Sequence, residues 1–304
     1  MFKNLSKKII FLFTRVGVVY LLIFFILNLF PEYKNTIDLA QLRILNRFVP
    51  FSFQCLIEPE KKFGANHYQA QIDYYNQVVK LAPEVADIYE IFGFCYYHLG
   101  DKGKAIASFK KAIQLERRFF WAQYDLGLIY YQNKHYSEAI KVFQKATNLP
   151  PEAAFLIIKA SSIYQQIILI NPDIHYDFNG SLKRGYHDAY VLLVKSYYAL
   201  KDFQNMLSSS LVATKLGVDD NGVFYFYQGL AAYHLKQYDL SVYALQETIK
   251  KSPDFDEAYY YLALSLQALG REDLATRMMQ KGAFLHNAKP SPLFDENNVV
   301  LKIF

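Results

Sequence analysis

The sequence predicts an all-α fold, an α-solenoid of helix-turn-helix repeats behind an amino-terminal transmembrane helix, and three observations carry that prediction. Residue types recur 34 positions apart between Ala86 and Ala153: Gly93 returns as Gly127, Tyr96 as Tyr130, Ala105 as Ala139, Phe109 as Phe143 and Ala112 as Ala146. The chain of 304 residues is 53% hydrophobic and 17% aromatic, enough apolar side chain for a large core and unlike a disordered or collagenous sequence. Finally, Ile9 to Phe30 is an apolar run broken only by Thr14, Arg15 and Asn28.

In chain order, residues 1–8 form a short basic amino terminus and 9–30 an anchor. Twenty-two residues of helix rise about 33 Å, which matches a hydrocarbon core of about 30 Å. Arg15 lies near the basic end, where its long side chain reaches the headgroups. The exit, Leu27-Asn28-Leu29-Phe30-Pro31-Glu32, has no pair of small residues of the kind a signal peptidase cleaves, so the anchor is read as uncleaved. Lys3, Lys7, Lys8 and Arg15 precede or enter it with no acid among residues 1–30. The positive-inside rule then keeps the amino terminus cytoplasmic and puts everything beyond Phe30 on the extracytoplasmic side, the periplasm in a Gram-negative cell. Residues 31–64 read as a partly helical juxtamembrane linker broken at Pro50 and Pro59.

Tyr68 to Leu81 continues the 34-residue beat backwards, because Tyr75 and Val78 stand 34 before Phe109 and Ala112. This period, with a small residue and an aromatic early and A-x-x-x-F-x-x-A later, resembles the tetratricopeptide repeat. The resemblance extends over residues 65–287 and is strongest from 86 to 153 and from 222 to 287. It implies stacked helix pairs, with the first helix of each pair lining a concave wall. Gly93 and Gly127 are read as packing glycines at the helix crossing. Gly100-Asp101-Lys102-Gly103-Lys104 is read as an interhelix turn, since it lacks the spacing and preceding strand of a phosphate loop.

From 154 to 186 the period falters. Phe155 to Ile170 is apolar enough for a helix, Asn171-Pro172 stops it, and the stretch through Asn179-Gly180 reads as turns, so one degenerate repeat fills the gap. The pattern resumes at 187–221 with Tyr190, Leu193 and Tyr197, at 222–255 with Gly229, Ser241 and Leu245, and at 256–287 with Tyr259, Leu262 and Ala275. Residues 288–304 form an apolar cap for the last repeat or a partner-binding tail.

The formal charge of +5 comes mostly from the four basic residues ahead of and within the anchor, which leaves no phosphate-tracking stripe and argues against nucleic-acid binding. Cys55 and Cys95 make neither a C-x-x-C pair nor a zinc knuckle; they read as two thiols, with a single bridge left open. The seven histidines form no H-E-x-x-H, no nucleophile elbow is present, and no cofactor or metal is expected. His175, Asp177, His187 and Asp188 cluster around the irregular segment and define the rival reading, a subunit of an enzyme complex with a site near 171–188.

On the wall that the resemblance implies, residues spaced by three, four and seven share a face. They give a partner-binding groove of Phe94, Tyr97, Trp121, Tyr124, Leu128, Tyr131, Lys195, Tyr198, Tyr227, Leu230, Tyr233 and Tyr261. Aromatics with a polar edge bury much area at low entropic cost, which suits a peptide groove. The basic clamp by which some members of the resembled family hold a carboxyl-terminal peptide is missing, because Lys195 is the main cation there. The expectation is therefore a non-enzymatic, membrane-anchored scaffold that holds a protein or peptide partner and organises an envelope complex. An organelle-surface receptor with cytosolic repeats is the alternative topology.

Overall fold

The computed structural model describes residues 64–80, 82–160, 178–218 and 221–288. The predicted anchor at 9–30, the linker up to residue 63, Cys55, the histidine and acid at 175 and 177, and the tail from 289 lie outside the described residues. Among those described there are helices and turns and no strand, and no helix is long and apolar enough to cross a membrane.

The described residues form twelve helices: α1 (Ala65–Val78), α2 (Ala86–His98), α3 (Lys102–Leu115), α4 (Phe120–Gln132), α5 (Tyr136–Thr147), α6 (Pro151–Ala160), α7 (Phe178–Ala199), α8 (Phe203–Lys215), α9 (Val223–His234), α10 (Tyr238–Lys251), α11 (Asp256–Ala268) and α12 (Glu272–Asn287). From α1 to α5 and from α7 to α12, helices that adjoin in sequence pack against each other, which is the arrangement of a solenoid. Helix α7 also packs back on α4, α5 and α6.

The 34-residue beat has a steric basis. A Cβ at Gly93 would lie 2.6 Å from the Phe109 ring, and one at Gly127 would lie 2.7 Å from the Phe143 ring. The first helix of each pair therefore drops its side chain where the second inserts a phenylalanine. Phe109, Phe143, Ala105, Ala139, Ala112 and Ala146 are all fully buried. In the fourth pair Leu245 fills this place against Gly229, 2.5 Å from a Cβ there, and Ser241 takes the small-residue position, donating to the Gly229 carbonyl and lying 2.8 Å from the Ser265 hydroxyl.

The turns repeat too. Gly100, Lys134, Lys201, Lys236 and Gly270 all have positive φ at the end of a first helix. In each, the N–H of that residue bonds the carbonyl three before it, and the next N–H bonds the carbonyl five before it, as Lys134 does to Tyr131 and His135 to Tyr130. This is the Schellman closure, which satisfies helix carbonyls that would otherwise lack donors. Asp101 and Asp202 then cap the second helix, accepting from the N–H of Lys104 at 3.0 Å and of Asn205 at 3.2 Å. Residues 102–104 of the expected turn are thus already the first turn of α3.

One expectation is corrected. Asn179-Gly180, read as a turn, lies inside α7, which starts at Phe178 and runs for 22 residues. Tertiary packing overrides the poor propensity of these two residues. Leu182, Tyr186 and Tyr190, spaced by four, are buried, and Tyr186 donates to the Leu149 carbonyl at 2.5 Å while Tyr190 donates to that of Thr147 at 3.3 Å.

Candidate functional site

The first helices α2, α4, α7, α9 and α11 carry the twelve residues of the expected groove, and these differ in burial in two layers. Phe94, Trp121, Tyr124, Leu128, Tyr227 and Leu230 are buried in the core. Rings of the same helix and of adjoining helices surround them. Phe94 meets Tyr68 of α1 at 6.1 Å and the His98 ring at 4.4 Å, and Tyr124 meets Trp121 at 5.8 Å and Phe143 at 6.4 Å. Trp121 presses on Gly185 of α7, where a Cβ would come within 2.7 Å of its Cζ3.

Tyr97, Tyr131, Lys195, Tyr198, Tyr233 and Tyr261 remain half-buried or exposed, with Tyr198 at 40%. They form the accessible layer. Tyr97 donates to Gln132 Oε1 at 2.8 Å, which ties α2 to α4. Tyr233 and Tyr261 stand 5.7 Å apart, and Tyr198 lies 6.1 Å from the His234 ring, which itself stacks on Phe203 at 4.2 Å. Burial raises the phenols of Tyr131 and Tyr261 to about 12, with Tyr136 beside the first and Tyr198 and Glu257 beside the second. Tyr227 is raised by its burial and, secondarily, by Tyr131, Glu257 and Tyr198, so these side chains from α4, α7, α9 and α11 converge. Tyr131 and Tyr261 therefore stay protonated at neutral pH.

Two charges sit in this layer. Burial lowers the Lys195 ammonium while Glu257 opposes that shift, and burial raises the Glu257 carboxyl while Lys195 and His286 oppose it. Glu257 was absent from the predicted groove, although its spacing of four from Tyr261 on one helix face signals it. Asp125 and Glu90 were likewise left out. Both are buried, Glu90 without exposure and with neither carboxylate oxygen hydrogen-bonded.

His187 and Asp188, from the rival reading, contact each other at 3.2 Å, Nδ1 to Oδ1. Among the described residues no group of three or more His, Cys, Asp or Glu side chains has the arrangement of a metal site. Cys95 is buried within α2.

Comparison with known proteins follows the same lines. Residues 93–134 match the family described as "TPR repeat", and residues 120–152 and 224–254 match "Tetratricopeptide repeat". BBSome complex member BBS4 of Bos taurus is 24% identical over 274 residues, covering 79% of this chain and 52% of that protein. Its homolog in Drosophila melanogaster is 29% identical over 97 residues, 30% of this chain and 20% of that protein. The chain thus spans about half of the bovine protein and a fifth of the Drosophila one. E3 ubiquitin-protein ligase CHIP of Arabidopsis thaliana is 31% identical over 87 residues, 29% of this chain and 31% of that one. Among solved structures, YrrB, described as a TPR protein with an unusual peptide-binding site, superposes with a TM-score of 0.52 at 16% identity, covering 70% of this chain and 92% of that one. A MamA structure reaches 0.50 at 18% identity, covering 70% and 100%. At these identities the structural likeness speaks to the fold alone. Its described residues form an all-helical solenoid, and the chain carries tetratricopeptide repeats over residues 93–152 and 224–254.

Proposed function

We propose that this chain is a non-enzymatic scaffold that holds an extended peptide or partner segment along its first helices, against the accessible layer of Tyr97, Tyr131, Lys195, Tyr198, Tyr233 and Tyr261. The observation that carries this reading is the convergence of partly accessible phenols from α4, α7, α9 and α11 around the Lys195 and Glu257 charges. Such a surface offers rigid aromatic area with hydroxyl donors, and its few charges orient a bound backbone. The buried layer of Phe94, Trp121, Tyr124, Leu128, Tyr227 and Leu230 shapes and stiffens that surface from below. Peptide binding by YrrB, and the membership of BBS4 in the BBSome complex, are consistent with this use of such repeats.

The apolar stretch 9–30 supports a membrane anchor for the scaffold, and the basic residues ahead of it support an extracytoplasmic placement of the repeats, where the chain would organise an envelope complex. The test of the groove uses the full chain with a photo-crosslinking residue at position 198 and, as control, at Tyr243, an exposed residue on α10. Crosslinking to a partner at 198, lost on changing Tyr131 and Tyr261 to Ala and weaker at 243, is the expected outcome. Equal crosslinking at both positions sinks the assignment.

A further inference from the structure

The first two repeats separate their charges by helix. The first helices α2 and α4 contain Asp87, Glu90 and Asp125 and neither lysine nor arginine. Their partners α3 and α5 contain six lysines against the single acid Glu138. Within the acidic half, Glu90 has no accessible surface, and neither of its oxygens has a hydrogen-bond partner. Asp125 across on α4 and Asp87 one turn before it both act on its charge, so the three carboxyls belong to one neighbourhood.

A buried carboxyl with no donor is costly, and its natural complement is a charged donor. Two basic side chains described on the first helices do not serve. His98, one turn beyond Phe94, is held neutral because burial lowers it to about 4. Lys195 is placed with Glu257, two helix pairs further on. The surroundings are aromatic: Phe94 stands one turn along from Glu90, and Trp121 one turn before Asp125. A long side chain with an apolar stem and a cationic tip suits such a place, because the stem packs on rings while the tip meets both a ring face and a carboxylate.

We propose that the partner held on the first-helix face inserts a lysine or arginine side chain toward Glu90 and Asp125, so that the groove selects a cationic segment. This rests on the groove reading above and names the partner's chemistry. The lysines of α3 and α5 repel such a segment from the opposite side and leave the acidic face as its landing place.

The test measures fluorescence anisotropy of labelled peptides with the full chain in detergent. The probes share one extended leucine- and serine-containing frame and differ in a central residue: arginine, lysine, glutamine or glutamate. The arginine and lysine peptides are expected to bind about tenfold more tightly than the glutamine peptide, as one charge-assisted pair provides. Glu90→Gln removes the unpaired carboxyl while keeping its shape; it should abolish that preference and leave the glutamine peptide's affinity unchanged. Asp125→Asn should weaken the preference as well. Equal binding of all four peptides to the unmodified chain overturns the proposal, and so does a preference that survives Glu90→Gln. If no peptide binds while crosslinking at position 198 persists, the cation selection falls and the groove stands; if both fail, the groove reading falls too.

Discussion

Gly93 lies directly beneath the ring of Phe109, so close that a methyl group on the glycine would sit 2.6 Å from the ring's Cε1 atom. The same relationship recurs 34 residues later between Gly127 and Phe143. An aromatic ring locked in a core has nowhere to retreat, so Gly93→Ala and Gly127→Ala should each cost about 1–3 kcal/mol through overpacking. Gly229→Ala should cost less, because the branched end of Leu245 adjusts more easily than a ring. Hydrogen exchange of the helix pair concerned, compared across the three variants, checks the ranking.

Trp121 is the chain's only tryptophan, is buried, and rests on Gly185. Gly185→Ala should push the indole out of its place between α4 and α7. The expected result is a red-shifted emission maximum and easier quenching by iodide, with helical circular dichroism retained. Unchanged emission would show that the two helices do not approach as closely as described.

Glu90 carries the pH dependence of the first pair. Burial, reinforced by Asp125 and Asp87, raises its carboxyl well above the ordinary range. The native state therefore holds this proton more tightly than the unfolded chain does. Its contribution is full below the ordinary carboxyl pKa of about 4.3 and is lost as pH rises toward the raised value. Glu90→Gln should raise the melting temperature at pH 7 and gain little at pH 4.

His98 works in the opposite direction. Burial lowers it to about 4, and its ring stacks on Tyr68 at 4.8 Å. Stability should fall as pH drops from about 6.5, the ordinary histidine value, toward 4, because the unfolded chain takes up that proton first. His98→Phe should flatten this acid limb while leaving the fold at pH 7 intact, as read by melting curves across the interval.

The first interhelix turn is the best formed, with Gly100 at positive φ and Asp101 capping α3. The second puts Lys134 and His135 in the same two places, and no side chain caps α5. Lys134→Gly relieves a left-handed backbone, and His135→Asp supplies an acceptor for the free end of α5. Each should stabilise by about 0.5–1.5 kcal/mol, with the gain read as a higher melting temperature.

The helix pairs were legible because a repeat states its packing rule several times. Gly93 with Phe109 reads as coincidence once and as geometry when Gly127 with Phe143 follows. The start of α7 was not legible, since Asn179 and Gly180 look like a turn to any local rule, and only the long-range seating of Tyr186 and Tyr190 on the carbonyls at the end of α5 and just beyond it extends the helix over them. Spacing assigned the groove residues to the first helices without their depth. Trp121 and Tyr131 share a helix face, yet one is in the core and the other half-accessible, because depth depends on how close the next helix comes. Glu90 shares the face of Phe94 and Tyr97, but no local rule shows that it and Asp125 are buried, since acids on a helix are usually exposed.

Helix α7 gives the array an unusual mechanical character. In a string of repeats each link touches only its neighbours, so an end can peel away one pair at a time. A single 22-residue beam that braces α4, α5 and α6 on one side and leads into α8 on the other breaks that independence. Force or heat applied at the carboxyl-terminal end should release α12 through α8 in small steps and then stall. Past that point, α7 must let go of three partners at once, and the amino-terminal repeats part together.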